Sequence, residues 1–320
     1  MRAARLFSLA VAAIALAAAP LRAQAPAADS VLLRFAWPVG TEARVAYTQV
    51  IEREGDSDRP IRVEIEGEYT LHVHQHPQGL LIEHLDPLAI RLQASPPFDP
   101  TDPRGAIYSR LGTPTPHYVV SPEGRLLGVD GVPALAAAIT AIFAPGSAQA
   151  GALDPLLREL LNEPLLAGTA RERWNALVGM WLDASLKVGE VSGAEAEEAN
   201  PLLPSVVLPY VYEFRLVGTE PCGASGPAAA KRCARLQMLS LPDPAQLAQV
   251  MSKALVDMGF PNLSFDGLAQ HSQVTLLTDP ETLLPYEVTM TKLVQGILKD
   301  GAQSRVFRRA DETRLAYTYP

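Results

Sequence analysis

The chain has 320 residues, of which 48% are hydrophobic and 19% are charged, and its 35 acidic and 27 basic residues give a formal net charge of −8. An apolar share of this size is enough for a packed core, which excludes a globally disordered chain. The acidic balance argues against a nucleic-acid partner and against an anionic membrane surface, because phosphates and acidic lipids both attract basic surfaces.

The first 25 residues have the pattern of a secretory signal peptide, with a basic start, an apolar run over 6–19 and a proline that ends the run. An uncleaved anchor is disfavoured, because a membrane-spanning helix needs about 20 apolar residues. Small residues allow cleavage after Ala25 or after Ala27. The preference for Ala, Pro and Arg over Lys is typical of GC-rich bacterial genomes. We therefore expect a bacterial protein that is periplasmic or secreted and does not span a membrane after signal removal.

The two cysteines, Cys222 and Cys233, flank the segment GASGPAAAKR, which is rich in turn-forming residues and lies between two strand-like runs. In an exported protein this arrangement predicts a disulfide bond. A redox-active pair is disfavoured, because the C-x-x-C spacing that lowers a thiol pKa is missing.

Alternating apolar and polar residues predict a three-stranded antiparallel meander over 42–53, 61–73 and 80–93. The middle strand alternates without interruption, which is typical of a half-buried strand whose register is well defined. Further along the chain, the segment SPEG at 121–124 predicts a short hairpin.

Four helices are predicted from apolar periodicity and capping residues. They cover 132–143, 154–164, a segment that begins at a capping box of Thr169 and Glu172, and 244–258.

Strands return after the third helix, over 206–217, 231–241, 272–278, 284–294 and 305–319. Helices inserted between sets of sequential strands are typical of an α+β protein. We predict long antiparallel strands in a curved sheet or open half-barrel, covered by about four helices.

The mature chain, 26–320, is long enough for one large domain, and we predict a single α+β domain. The segments PVGTEARV at 38–45 and KVGEVSGA at 187–194 each begin a strand after Val-Gly. This leaves open a duplication into two related halves, 30–185 and 186–320.

The segment DPETLLPYEVTMTK, from Asp279 to Lys292, and the hairpin before it resemble the periplasmic lipoprotein-carrier proteins. In that group, helices pack in the mouth of an open antiparallel half-barrel. Gly40-Thr41 and the segment from Lys187 to Glu190 are also similar to strand openings in uncharacterised exported bacterial proteins. The resemblance implies a half-barrel that holds an apolar or lipid-like ligand, and it assigns no functional residue.

Four of the six histidines lie within IRVEIEGEYTLHVHQHPQGLLIEH at 61–84. His72 and His74 alternate on the polar face of the predicted strand. Alternate residues of a strand lie about 6.6–6.8 Å apart, so both imidazoles can converge on one metal ion.

The turn at 76–79 determines whether His84 joins this pair. A plain four-residue turn places His84 opposite Leu71 on the apolar side, whereas a type I turn with a bulge places it opposite His72. Two interpretations follow: a solvated strand face, or a weak zinc or copper site of His72, His74 and His84.

No phosphate-binding loop, dinucleotide fingerprint, H-E-x-x-H motif or nucleophile elbow is present in the sequence. We therefore expect a non-catalytic protein without a cofactor. The favoured function is binding of an apolar or lipid-like ligand. The alternatives are a structural or assembly protein that partners another envelope protein, and a metal-binding protein.

The candidate ligand-binding residues lie on one face of the last predicted helix and are Leu247, Met251, Leu255 and Met258. Methionines suit an adaptable apolar lining. A twisted sheet curls beneath such a helix, which predicts an apolar pocket between the two.

The signal peptide generates a first prediction, which concerns the mature N-terminus. Protein purified from a bacterial periplasm is expected to begin at residue 26 or 28, as measured by intact mass and N-terminal sequencing. A variant with the apolar run interrupted by lysine serves as the control and is expected to stay unprocessed. Periplasmic material that retains Met1 would contradict the prediction.

Overall fold

The structure is a computed structural model that describes residues 30–55, 60–85, 90–98, 116–142, 163–200, 203–224, 226–257 and 259–320. The strands are β1 (Ser30–Leu32), β2 (Glu42–Glu54), β3 (Ile61–His76), β4 (Gly79–Leu85), β5 (Arg91–Ser95), β6 (His117–Val120), β7 (Leu126–Asp130), β8 (Ser185–Lys187), β9 (Val191–Asn200), β10 (Leu203–Pro221), β11 (Arg232–Pro242), β12 (Leu263–Thr278), β13 (Pro285–Asp300) and β14 (Gln303–Thr318).

The α-helices of the described residues are α1 (Val132–Ile142), α2 (Glu163–Leu177), α3 (Gly226–Ala230) and α4 (Pro244–Asp257), with a 3-10 turn at Gly179–Trp181 after α2. Among these described helices, none is both long and apolar enough to cross a membrane. The α+β class with about four helices is confirmed.

Twelve strands form one open, curved antiparallel sheet in the order β7-β6-β4-β3-β2-β14-β13-β12-β11-β10-β9, with β5 also paired to β3. The last strand, β14, pairs with β2, so the beginning and the end of the described chain meet in the middle of the sheet. The short strands β1 and β8 form a separate two-stranded ladder.

The period-two pattern of β3 determines which side of the sheet is covered. Its apolar positions are buried and its charged positions alternate with them on the other side. The buried apolar residues are Val63, Ile65, Tyr69, Leu71 and Val73. Removing these five from water is worth on the order of 10 kcal/mol at about 1.5–3 kcal/mol each. We call this side of the sheet the inner face and the opposite side the outer face.

An aromatic cluster packs on the inner face beneath α2. Trp174 of α2 is almost fully buried, and its ring centroid lies 5.6 Å from that of Trp37 and 5.2 Å from that of Tyr118. The indole nitrogen of Trp174 donates a hydrogen bond of 3.1 Å to the carbonyl oxygen of Gly124. Buried aromatic pairs of this kind anchor α2 to the strands below it.

The start of α2 differs from the prediction. Thr169 was expected to cap the helix, but the helix begins at Glu163, and the Thr169 hydroxyl donates to the carbonyl oxygen of Leu165 inside it. Pro164 was expected to end the preceding helix and instead lies in the first turn of α2, where a proline is tolerated. The helix predicted over 154–164 falls largely outside the described residues.

The predicted strand over 80–93 is two strands. β4 pairs with the C-terminal part of β3, from His76 to Thr70, whereas β5 pairs with its N-terminal part, from Glu66 to Arg62. A Cβ at Gly79 would lie 2.2 Å from the carbonyl oxygen of Val120, so the approach of β6 requires glycine at the start of β4.

The Cys222–Cys233 disulfide is confirmed, with a Cα–Cα distance of 4.9 Å. Both cysteines are buried against Leu277 and Tyr286. The bond therefore closes the β10–β11 connection, which includes the short helix α3.

This disulfide generates the second prediction. Replacing both Cys222 and Cys233 by serine is expected to lower the free energy of unfolding by up to about 3 kcal/mol, because the bond restricts the unfolded chain. Urea unfolding with and without reductant measures the effect. Reductant should destabilise the natural protein and leave the double variant unchanged. Alkylation of two free thiols in unreduced native protein would contradict the assignment.

Candidate functional site

The outer-face histidines of β3 each have a carboxylate partner. The Nε2 atom of His72 lies 3.3 Å from a carboxylate oxygen of Glu42, and that of His74 lies 3.0 Å from one of Glu83. The two imidazole centroids are 4.1 Å apart. The structure therefore brings His72 and His74 together, as the strand spacing predicted.

His84 lies on the other side of the sheet. The ladder pairs it with Leu71 and pairs His72 with Glu83, which is the register of the plain turn. The Nδ1 atom of His84 lies 2.9 Å from the carbonyl oxygen of Pro116. Burial lowers the pKa of His84 to about 3, although the hydrogen bond to that carbonyl opposes the shift. The imidazole is therefore neutral at physiological pH.

The predicted three-histidine metal site is thus not assembled, because the sheet separates His84 from His72 and His74. Among the described residues, no group of three or more His, Cys, Asp or Glu could hold a metal ion. The sequence left this open because a change of one residue in the turn moves every following side chain to the opposite face.

The apolar stripe of α4 packs directly on the sheet. Leu247 and Leu255 are buried, and Leu247 and Met251 belong to a cluster with Leu208 of β10 and Leu268 of β12. These helix residues therefore contact the sheet itself. Met258, the fourth candidate, lies outside the described residues.

A cavity lies beside the N-terminus of α4, at the point where β11 ends. β11 pairs with β12 only as far as Ser240 and Ser272, and its partner β10 continues beyond it. The gap between β10 and β12 contains a cavity of about 850 Å³. Its lining residues include Pro209, Val211, Leu241 and Leu293, with Glu195, Glu197, Asp243 and His271 among the polar ones.

Two polar side chains of the inner face also line this cavity. These side chains, Tyr210 and Gln270, lie close enough to interact with each other. Burial, together with the negative charges of Glu198 and Glu172, raises the pKa of Tyr210 to about 12. Tyr210 therefore stays protonated and can donate or accept a hydrogen bond at neutral pH.

These cavity residues were not singled out from the sequence. The prolines at 242 and 244 contained a usable signal, since proline ends strands and starts helices. They could have located the end of β11. They could not have indicated that β10 and β12 separate there, because that depends on the pairing of distant strands.

Comparison with known proteins assigns no family, since no family model and no curated protein sequence matches the chain. A solved structure titled "Lipid-protein interactions in lipovitellin" is similar over 88% of this chain, with a TM-score of 0.40 and 13% sequence identity. The match covers 25% of the lipovitellin chain, so this chain spans about a quarter of that length. Similarity at this level establishes neither a family nor a function.

The histidine pair generates the third prediction. His72→Ala combined with His74→Ala is expected to change the free energy of unfolding by less than about 1 kcal/mol, because both side chains reach solvent and surface ion pairs contribute little. Thermal melting with and without zinc measures the effect, and zinc should not shift the melting temperature of either protein. The variant Glu42→Gln with Glu83→Gln is the control that keeps both imidazoles. A zinc-dependent rise of several degrees that only the histidine variant loses would contradict the expectation.

Proposed function

We propose that the protein is a non-catalytic periplasmic protein that binds an apolar or lipid-like ligand in the cavity between β10 and β12. The observation that carries the proposal is the cavity of about 850 Å³ at the end of β11. Cavities of roughly 300–1,000 Å³ are the usual size for small-molecule binding.

Part of the lining is apolar, as such a ligand requires. Pro209, Val211 and Leu293 present apolar surface, and the exposed fraction of Val211 is 45%. Covering this surface with an apolar ligand would be favourable by about 25 cal/mol for each Å² removed from water. Tyr210 and Gln270 would orient a polar group of the ligand.

Export is the second part of the proposal and has separate support. The N-terminal segment has the pattern of a signal peptide. The Cys222–Cys233 bond also suits an oxidising compartment, because cytosolic thiols are normally kept reduced.

An assembly role in the cell envelope is the alternative that another observation favours. Val207, Val211 and Val217 of β10 are all about half exposed, and Leu241 lies opposite Val211 on β11. A run of exposed apolar side chains on one strand can be buried by contact with another protein. In that case Val211 would contact a partner chain instead of a small ligand.

The fourth prediction tests the cavity with an apolar fluorescent probe. Val211→Lys is expected to raise the probe's dissociation constant about tenfold or more, because it places a charge where the apolar part of the ligand would lie. The matched control is Val217→Lys, which changes a residue of similar exposure on the same strand, about 20 Å from Val211 at the usual rise of a strand. It should bind the probe as the natural protein does.

Titration of probe fluorescence gives the dissociation constants, and thermal melting establishes that both variants are folded. Binding that is not saturable, or that both variants weaken equally, would contradict the cavity as the ligand site. Sedimentation at increasing protein concentration tests the assembly alternative, which predicts association that Val211→Lys and Val217→Lys both weaken.

A further inference from the structure

Arg173 occupies a core-facing position of α2. It follows Ala170 by three residues and precedes Leu177 by four, and both of these residues are buried. Residues at this spacing share one side of a helix. Its neighbour Trp174 is also buried in the aromatic cluster on the inner face. The guanidinium of Arg173 therefore points toward the sheet.

Four phenol groups of the inner face interact electrostatically with the guanidinium, and they pack in the same cluster as Ala170, Trp174 and Leu177 of α2. They belong to Tyr47 of β2, Tyr69 of β3, Tyr118 of β6 and Tyr317 of β14. Tyr69 and Tyr317 lie on either side of Val45 in the strand ladders, which places them on the two strands that flank β2.

None of these neighbours supplies a negative charge at neutral pH. Burial raises the pKa of each of the four phenols, so all of them stay protonated. His84 also interacts with Arg173, and burial keeps it uncharged. The carboxylate of Asp311, which interacts with Tyr47, accepts hydrogen bonds of 2.9 and 3.0 Å from Arg309.

Arg173 therefore carries a charge without a matching anion. Within the described part of the chain, no carboxylate forms a salt bridge or hydrogen bond with its guanidinium. An arginine cannot release its proton in a protein, and a charge that is partly removed from water without a partner is costly. Arg173 and Tyr47 both remain partly exposed, so a group from solution can reach them.

We infer that Arg173 and the phenols around it form a binding site for an anionic group, a carboxylate or a phosphate, which is either free in solution or part of a larger ligand. The guanidinium would donate two parallel hydrogen bonds to the anion. The site shares no residue with the lining of the cavity between β10 and β12 and does not depend on that cavity.

The fifth prediction compares dodecanoate, dodecanol and inorganic phosphate by calorimetric titration. The natural protein is expected to bind dodecanoate about tenfold or more tightly than dodecanol, because charge-assisted hydrogen bonds form only with the acid. Arg173→Met should abolish this difference, and Arg173→Lys should keep part of it. The matched control is Arg171→Met, which removes an exposed arginine of the same helix and should keep the full preference.

Phosphate distinguishes two sources of the anion. Phosphate binding that competes with dodecanoate and is lost in Arg173→Met would support the site with a free anion as its ligand. Equal binding of dodecanoate and dodecanol by the natural protein would overturn the inference, as would an unchanged acid preference in Arg173→Met.

Stability separates ligand binding from a structural role of the arginine. The inference predicts that ligand-free Arg173→Met melts at the same or a higher temperature than the natural protein, because it loses an unpaired enclosed charge. A clear loss of stability in Arg173→Met, without any acid preference in the natural protein, would assign Arg173 to packing against the tyrosine rings. If Val211→Lys does not weaken probe binding, the proposed cavity site is contradicted but the anion site at Arg173 is not, so the two proposals are tested separately.

Discussion

The central strands of the sheet carry an apolar side that has to be removed from water, and the open sheet cannot hide that side by closing on itself. The strands are joined into one antiparallel sheet, and the pairing of β14 with β2 makes the inner face continuous. Burial of this face is the main favourable contribution to the fold. The positions of α2 and α4 follow from the need to cover it.

The helices cover the inner face unevenly, and the two candidate binding sites lie where that covering is incomplete. Helix α2 and the aromatic cluster cover the central strands, and α4 covers β12 and β10. Where β11 ends between its neighbours, none of the described strands continues the sheet, and a cavity lies beside the N-terminus of α4. On the core-facing side of α2, Arg173 occupies a position where an apolar side chain is usual. Both candidate sites depend on how α2 and α4 pack on the curved sheet.

Much of the fold could be predicted from local pattern. Strands such as β3 repeat every two residues and show which face is buried, and the stripe and caps of α4 identified that helix. The cysteine spacing predicted the disulfide. The errors occurred where two local signals competed: the capping box at Thr169 suggested a helix start, but burial of Leu166 and Ala170 extends the helix toward Glu163.

The sequence by itself determined most of the long central strands and their inner and outer faces, the position of α4 in the chain and the bond between Cys222 and Cys233, because these depend on residues near one another in the chain. Tertiary structure decided that His84 lies apart from His72, that β10 and β12 separate at the end of β11, and that four tyrosines surround Arg173. Those arrangements depend on strand register and on contacts between distant segments. Local periodicity contains no information about either.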